Sequence, residues 1–249
     1  MTARTKIATG LLLLLVVLSV PQASYAKRWV IGDFSEQPQP GVLPVHWQPL
    51  VFDGVERHTI YTHVVDDQGN GVIQAQSTNS SSGFVRKIQL DPAQWPRVSW
   101  RWKIHNVLKT ADLSQKKGDD APARLYITFA YDASEVGWWE KVKFEAIRLF
   151  YGEYPPMGAL MYVWSSRAEQ GAVMESPYTG RVKVIVVQTG AAKAGQWLVQ
   201  QRDIRADYLH AFGVRSVPMI SGVAIMTDTD NTGEQASAWY GDIVFESPQ

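Results

Sequence analysis

A strict alternation of apolar and basic residues limits most strongly what this chain can fold into. In the stretch 98–104, VSWRWKI, Trp100 and Trp102 fall on one face of an extended strand. Arg101 and Lys103 fall on the other face. The stretch therefore predicts a strand with one face in the core and one basic face.

The stretch 123–131, ARLYITFAY, repeats this pattern. Leu125 and Ile127 share one face of the predicted strand, and Arg124 and Tyr126 share the other. Together with Arg101 and Lys103, these side chains would suit an anionic or hydroxyl-rich partner. The alternative is an ordinary solvated sheet face.

Further apolar stretches are separated by turn signals, of which Asn70-Gly71 is typical of a hairpin. The last of them, 222–245, joins an apolar strand, a carboxylate-rich turn and a closing strand, as a sheet edge would. A run rich in valine and isoleucine at 181–189 predicts a strand buried on both sides. The pattern predicts an all-β fold, an antiparallel jelly-roll β-sandwich. Its other strand candidates are 29–34, 58–65, 71–77, 84–90, 158–166 and 196–204.

Between Ala133 and Tyr154 the spacing of apolar residues changes to three and four, which predicts one inserted amphipathic helix. Pro155-Pro156 would stop it. Three roles are open for this helix. It could pack on a sheet edge, cover a groove as a lid, or dock a protein partner through its apolar face around Trp138.

The first residues have the layout of a secretory signal peptide. Arg4 and Lys6 precede an apolar run at 11–20, and small residues follow up to Ala26. We expect cleavage after Ala26, a signal peptide at 1–26, and a single domain at 27–249 that is periplasmic or secreted. The run is shorter than the roughly 20 residues of a membrane span, so we expect no membrane span.

Charge and cysteine content exclude several classes of function. The chain has 24 basic and 24 acidic residues and no arginine-rich segment, so we expect no nucleic-acid partner. It contains no cysteine, which excludes disulfides, thiol nucleophiles and zinc sites with cysteine ligands.

Several motifs occur in a fixed order along the chain: SWRWK, GDDAPARLYITF, YVWSS, SPY, FG, and TDTDNT followed by YGDI. In this order they resemble the Domain of Unknown Function 3047 family of exported bacterial proteins. The resemblance extends from about Phe34 to Phe245. It implies export and a common fold, and it implies no activity.

The two ends of the predicted sandwich also resemble jelly-roll carbohydrate-binding modules of the galactose-binding-like class. The likeness rests on Asp33-Phe34 and Glu36 near the first strand and on Tyr240-Gly241-Asp242-Ile243 in the last. In such modules a structural calcium often bridges these strands. The resemblance implies Asp33, Glu36 and Asp242 as its ligands, and a glycan as the partner.

The turn TDTDNT offers three oxygen ligands of the kind that calcium prefers, on Asp228, Asp230 and Asn231. It has neither the glycine nor the glutamate of an EF-hand loop. Three interpretations stay open: Asp228 and Asn231 cap a tight turn, the turn binds a metal, or it contacts a ligand directly.

Asp119 and Asp120 precede the strand that carries Arg124. Adjacent strand residues point to opposite faces, so only one of the two carboxylates can share the face of Arg124. A buried Asp–Arg pair is one interpretation, since buried charges persist only when paired. Ligand recognition is the other.

An enzyme would need more than these motifs provide. Glycoside hydrolysis requires two facing carboxylates, which GDD and TDTDNT would supply if they were neighbours. A lyase could use Tyr126 or Tyr178 with Arg124. The sequence has no HExxH motif, nucleophile elbow or phosphate loop, and the catalytic residues stay unknown.

The ten tryptophans add aromatic surface on which sugar rings could stack, and Trp164 is expected near a loop. We hypothesise a protein that binds a glycan or envelope polysaccharide without catalysis. The alternatives are a polysaccharide lyase or glycoside hydrolase, and a structural or assembly factor of the envelope. The predicted ligand-binding residues are Arg101, Lys103, Asp119, Asp120, Arg124, Tyr126, Trp164, Tyr178, Asp228, Asp230 and Asn231.

Overall fold

The computed structural model describes residues 26–36, 40–133 and 155–248, together with residues 137, 138, 141, 144, 145 and 148. Its strands are β1 (Arg28–Gly32), β2 (Gln48–Leu50), β3 (Ile60–Val65), β4 (Gly71–Thr78), β5 (Gly83–Leu90), β6 (Arg97–Ile104), β7 (Ala123–Phe129), β8 (Gly158–Ser165), β9 (Val173–Ser176), β10 (Thr179–Thr189), β11 (Leu198–Asp203), β12 (Ile220–Met226) and β13 (Gln235–Glu246). The helix α1 spans Ile204–Phe212, and a short 3-10 helix spans Lys116–Gly118.

The strands form two sheets whose order does not follow the chain. The six-stranded sheet has the order β11-β6-β13-β4-β3, with β1 also paired to β13. The seven-stranded sheet has the order β2-β5-β12-β7-β8-β10-β9. The predicted β-sandwich is confirmed, with one correction: β8 and β10 pair in parallel. They do so because the chain crosses from β8 to the edge strand β9 before it turns back into β10.

The core between the two sheets follows the predicted alternation. Trp100 and Trp102 point inward from β6 and are 2% and 0% exposed. Their rings meet Tyr162 and Trp164 of the opposite sheet at centroid distances of 5.2 and 6.2 Å. Large rings that interlock across the sheets supply much of the apolar burial that holds such a domain together.

The predicted two-sided burial of β10 is also confirmed. Ile185 and Val187 belong to the core between the sheets. Val184 and Val186 belong to a second apolar cluster on the outer face of the seven-stranded sheet, next to Met161. This cluster covers the outer face over β8 and β10.

The predicted sheet edge at 222–245 is wrong. Strand β12 lies between β5 and β7 of one sheet, and β13 lies between β6 and β4 of the other. Both strands are therefore interior strands, and the turn 227–234 between them crosses from one sheet to the other.

Two predicted segments fall mainly outside the described residues: the signal peptide, and most of the inserted helix between Ala133 and Tyr154. Within the latter, Trp138 and Phe144 are helical, and the ring of Phe144 stacks on Tyr131 at 4.3 Å. In the part of the chain that the structure describes, no helix is both long and apolar enough to cross a bilayer.

Candidate functional site

Arg124 is the centre of a buried charged cluster at the start of β7. It points to the outer side of the seven-stranded sheet because it alternates with the inward residue Leu125. Its Nε and Nη2 atoms donate to Oδ1 and Oδ2 of Asp228, both at 2.8 Å. Arg124 and Asp228 are only 2% and 3% exposed. This two-point geometry is the strongest form of ion pair that a guanidinium makes.

Asp119 completes the coordination of the guanidinium. Its Oδ1 accepts a hydrogen bond from Nη1 of Arg124 at 3.2 Å, and its backbone carbonyl accepts from Nη2 at 2.6 Å. The N–H of Ala121 donates to Oδ1 of Asp228 at 3.1 Å. GDD therefore provides one carboxylate for Arg124, and TDTDNT provides the second.

Asp120, the other carboxylate of GDD, fastens the TDTDNT turn. Its Oδ2 accepts from the backbone N–H of Thr232 at 2.6 Å. Its Oδ1 accepts from the backbone N–H and the side-chain amide of Asn231 at 3.3 and 3.1 Å. The predicted capping of this turn by Asp228 and Asn231 is wrong, because both side chains bond to other segments.

The cluster carries more negative than positive charge. Asp120, Asp228 and Asp230 lie within 4.8 Å of one another through their carboxylate oxygens. Burial raises the pKa of Asp228 to about 8, against the opposing charge of Arg124. Burial and then the charge of Asp120 also raise the pKa of Asp230. In both Asp228 and Asp230 the largest cause is burial, which disfavours the charged form of a carboxyl group.

Carboxylates grouped in this way are the ligands that calcium prefers. Both oxygens of Asp120 and both oxygens of Asp228 already accept hydrogen bonds from the protein. Oδ1 of Asp230 is buried and has no hydrogen-bond partner among the described residues. A cation would therefore share oxygens that the fold already uses.

The residues implied as calcium ligands at the two ends of the sandwich are not grouped in this way. Asp242 accepts the backbone N–H of Ser35 at 2.9 Å, and the Ser35 hydroxyl donates to its other oxygen. Asp33 faces Arg86 at 4.0 Å, and Glu36 is exposed. Strands β1 and β13 do pair, and calcium between them stays a prediction.

Tyr178 reaches the charged cluster from the turn between β9 and β10. Its hydroxyl donates toward the carbonyl of Lys116 and Oδ1 of Asn231, each at 3.1 Å. Partial burial and the charges of Asp119 and Asp230 raise its pKa. Of the predicted ligand-binding residues, the structure thus brings together Asp119, Asp120, Arg124, Tyr126, Tyr178, Asp228, Asp230 and Asn231.

Arg101 and Lys103 lie elsewhere, on the outer face of the six-stranded sheet. Arg101 pairs with Asp66 at 3.0 Å and stacks over Trp197 at 4.3 Å. Lys103 lies over the rings of Trp197 and Trp239 at 5.2 and 5.0 Å. The prediction of one polar face shared with Arg124 is wrong because β6 and β7 belong to different sheets.

The prediction that Trp164 lies near a loop and contacts a ligand is also wrong. It is fully buried between the sheets, and its Nε1 donates to the carbonyl of Gly190 at 3.0 Å. It therefore belongs to the core and is not available to a ligand.

A groove of about 700 Å³ occupies the part of the outer face that the second apolar cluster leaves open. Three cross-strand rows form its floor and sides over β5, β12 and β7. Gln48, Leu50 and Phe52 form one wall, and Tyr131 and Pro155-Pro156 line it as well. The rows are Lys87–Gly222–Thr128, Val85–Ala224–Tyr126 and Gly83–Met226–Arg124, the last ending at the charged cluster.

The groove exists because the outward residues in the middle of β12 are small. A Cβ atom at Gly222 would lie 2.9 Å from Oγ1 of Thr128, so this position accepts no larger residue without displacement of its neighbour. Ala224 follows on the same face. Small residues here and larger ones on β5 and β7 make a trough along β12.

Among the predicted site residues, Tyr126 is the one that lines this groove. Burial raises its pKa to about 12, although the neighbouring Arg124 opposes the shift. The other groove residues could have been found from the alternating residues Gly222, Ala224 and Met226 of β12. The opposite face of this strand is apolar and belongs to the core. The face with Gly222, Ala224 and Met226 has no polar side chain for solvent, and two of its three residues are too small to fill the space.

Comparison with solved structures finds carbohydrate-binding modules and a carbohydrate recognition domain, all with low similarity. The family 11 carbohydrate-binding module of the cellulase Lic26A-Cel5E from Clostridium thermocellum is 13% identical, with a TM-score of 0.44, covering 90% of this chain and 97% of the module. A family 11 module from the same organism in complex with a β-1,3-1,4-mixed-linked tetrasaccharide is 11% identical, with a TM-score of 0.43 and coverages of 90% and 96%. The carbohydrate recognition domain of Emp47p is 10% identical, with a TM-score of 0.42 and coverages of 92% and 100%. These TM-scores are too low to carry a function across.

Comparison by sequence is more decisive at the level of the family. No curated protein matches the chain. One family model matches residues 45–244, which include the GDD and TDTDNT motifs, every strand of the seven-stranded sheet and most of the other sheet. The chain therefore belongs to the family described as Protein of unknown function (DUF3047).

Proposed function

We propose that this protein binds a glycan chain in the groove along β12 and does not catalyse its turnover. The observation that carries the proposal is the groove itself, about 700 Å³ on the outer face of a sheet, with an apolar floor and polar groups at its sides. Concave sites of this size, lined by apolar surface and a few polar side chains, are typical of ligand-binding sites.

The width of the groove suits a single linear chain. Neighbouring strands lie about 4.8 Å apart, so a trough on β12 between β5 and β7 is on the order of 10 Å wide. A sugar ring has an apolar face and a rim of hydroxyls. The apolar face would lie on Ala224 and the aromatic ring of Tyr126, and the rim would meet Gln48 and Thr128.

The hydrogen bonds of Asp120 and Asp228 support binding without catalysis. A glycosidase needs a pair of carboxylates with free oxygens that face the scissile bond. Asp228 is bound to Arg124 and Ala121 through its two oxygens, and Asp120 is bound to the TDTDNT turn through both of its own. These carboxylates serve to hold the two loops at the end of the groove.

Export would bring such a protein to the glycans of the cell envelope. The predicted signal peptide at 1–26 supports this location. We therefore propose a periplasmic or secreted protein whose ligand is an envelope or extracellular polysaccharide.

Affinity electrophoresis of residues 27–249 in gels containing acidic or neutral polysaccharides tests the proposal. We expect retardation by at least one polymer and its loss in Ala224→Phe, which fills the groove. Gln48→Ala is a milder second variant, expected to weaken retardation without occupying the groove. Val199→Phe, at a position 75% exposed on the other sheet, is the matched control.

Equal mobility of the protein in all gels would overturn the proposal. Release of reducing ends or unsaturated products from the retarding polymer would instead identify an enzyme. Circular dichroism and melting of each variant establish that a lost shift reflects the groove and not unfolding.

A further inference from the structure

The outer face of the six-stranded sheet carries the basic side of β6, which the groove does not use. Lys103 lies between two indole rings, and its Nζ is 5.2 Å from the ring centroid of Trp197 and 5.0 Å from that of Trp239. Trp239 pairs with Lys103 on one side and with Gln74 on the other, and Gln74 pairs with Thr62. From β6 to β3 these residues form a cross-strand row about 14 Å long, which we call the indole row.

A second row lies beside the indole row, two residues along each strand. It consists of Ser237, Gln76 and Ile60, which are paired across β13, β4 and β3. The side-chain amides of Gln74 and Gln76 make no hydrogen bond within the described part of the chain, and Ile60 is 63% exposed. Amides and hydroxyls both donate and accept hydrogen bonds. The two rows therefore offer neutral hydrogen-bonding groups next to apolar surface.

The cations of this face are matched by carboxylates of the hairpin between β3 and β4. Nη1 of Arg101 lies 3.0 Å from Oδ2 of Asp66. Nζ of Lys103 lies 3.7 Å from Oδ1 of Asp67. Because Lys103 is the one charged side chain of the two rows and Asp67 balances it, charge complementarity favours an uncharged partner.

The ring of Trp239 keeps one side for a ligand. The residue is half-buried, and Lys103 occupies the side of its ring toward β6. No other ring or cation contacts it among the described residues. The side toward β4 is where Gln74 lies. An indole face can pack on the apolar face of a sugar ring, and an amide beside it can bond to the hydroxyls at the rim of that sugar.

From these features we propose that the outer face of the six-stranded sheet is a second binding surface, and that its ligand is a neutral glycan chain. The chain lies across the strands along the indole row. One sugar ring packs against Trp239, and its hydroxyls bond to Gln74 and Gln76. This surface belongs to the other sheet from the groove, so the inference does not depend on the proposed function.

The chemistry of the two rows disfavours other occupants. An acidic polymer would bring a second negative charge to Lys103, where Asp67 already lies. An apolar protein surface or a lipid would cover the amides of Gln74 and Gln76 without offering them partners, which costs free energy. A neutral chain of hydroxyl-bearing rings satisfies the amides and covers the indole ring at the same time.

Titration of the purified protein with hexasaccharides, followed by calorimetry and tryptophan fluorescence, tests this inference. The neutral probes are cellohexaose, mannohexaose and xylohexaose, and hexagalacturonate is the acidic probe. We expect at least one neutral probe to bind and to change the tryptophan emission, because Trp197 and Trp239 lie in the indole row. The described residues that line the groove include no tryptophan, so a ligand there contacts none of these fluorophores. Hexagalacturonate should bind at least about tenfold more weakly than the best neutral probe.

Variants of each surface locate the binding. Trp239→Ala should weaken binding of the neutral probe by about tenfold, because it removes the ring on which the sugar packs. The double variant Gln74→Ala and Gln76→Ala should weaken binding as well, without a change in the core. Ala224→Phe, which fills the groove, should leave the affinity unchanged. Val173→Ala, at a 39% exposed position on the edge strand β9 of the other sheet, is the control.

The outcomes separate this surface from the groove. Binding that is lost in Ala224→Phe and kept in Trp239→Ala overturns the inference and leaves the proposed function. Tighter binding of hexagalacturonate than of every neutral probe, or no binding of any neutral probe, also overturns the inference. If circular dichroism shows that Trp239→Ala is unfolded, the double glutamine variant decides, and its unchanged affinity counts against the surface.

Discussion

Arg124 and Asp228 are joined by two hydrogen bonds of 2.8 Å, Nε to Oδ1 and Nη2 to Oδ2, although 104 residues separate them in the chain. The pair ties the start of β7 to the end of β12, at the end of the groove. We expect Arg124→Leu to lower the free energy of unfolding by about 3–5 kcal/mol, because it leaves buried carboxylates without a cation. Urea denaturation measures the loss.

The control for this change is Arg28→Leu. Arg28 pairs with Glu246 at 3.5 Å and is largely exposed, so the cost should stay below about 1 kcal/mol. Equal losses for the two variants would show that the buried pair has no special weight in stability.

The pH dependence of stability follows from the raised pKa of Asp228. Burial raises the pKa of Asp228 to about 8 in the folded protein, above the value of about 3.9 expected when unfolded. Between these values the folded state holds a proton that the unfolded state lacks. This contribution is fully present below about pH 4 and is lost as pH rises toward 8, with a slope of at most about 1.4 kcal/mol per pH unit.

Urea midpoints measured from pH 5 to pH 9 check this prediction. Asp228→Asn cannot ionise and should flatten the decline between pH 5 and pH 8. If the wild type instead gains stability over that interval, the pKa of Asp228 is not raised in the folded protein.

Substitution of Asp230 should raise the stability of the protein, whereas substitution of Arg124 should lower it. Its carboxyl group has a raised pKa, mainly through burial and next through the charge of Asp120, so ionisation costs free energy in the folded state. We expect Asp230→Asn to stabilise the protein by up to about 1 kcal/mol at pH 8 and to have little effect at pH 4. Thermal melting at both pH values measures this, and a loss of stability at pH 8 would show that the carboxylate is required in its charged form.

Strand periodicity was sufficient to predict which residues of β6, β7 and β10 face the core. The hairpin between β3 and β4 was also predictable, although Gly69, with φ of 83°, supplies the left-handed residue in place of Asn70-Gly71. Alternation assigns each residue to a face of its own strand. It does not say in which sheet the strand lies, which is why Arg101 and Arg124 were placed together.

The contact between GDD and TDTDNT was not predictable for the same reason: alternation does not show which strands are neighbours. The motifs lie 107 residues apart where Ala121 meets Asp228, and the antiparallel pairing of β7 with β12, which sets Arg124 opposite Met226, brings them together. The groove was harder still to predict, because small outward residues on β12 define it. A strand pattern shows which residues are apolar, and it does not show where small side chains leave space.

Asp242 and Ser35 join the last strand to the segment after β1, where calcium is predicted. Asp242 accepts the Ser35 N–H at 2.9 Å and the Ser35 hydroxyl, so this connection needs no metal. We expect Asp242→Ala to cost about 1–3 kcal/mol, by the same amount in chelator and in calcium. A melting temperature that rises with calcium only when Asp242 is present would place the metal there.

Gly241 sits beneath the side chain of Arg101 on the outer face of the six-stranded sheet. A Cβ atom at this position would lie 2.4 Å from Cγ and Nε of Arg101, too close for the present arrangement. Gly241→Ala should displace the arginine from Asp66 and from the ring of Trp197 and cost about 1–3 kcal/mol in urea denaturation.

A double-mutant cycle separates this clash from any general effect of alanine in β13. In an Arg101→Ala background, Gly241→Ala should cost much less than in the wild type, because the obstructing side chain is gone. Ser237→Ala, on the same outer face of the strand, is the control and should change stability by less than about 0.5 kcal/mol. Equal costs of Gly241→Ala in both backgrounds would mean that the glycine is required for the backbone of the bulge between Tyr240 and Ile243 and not for the arginine above it.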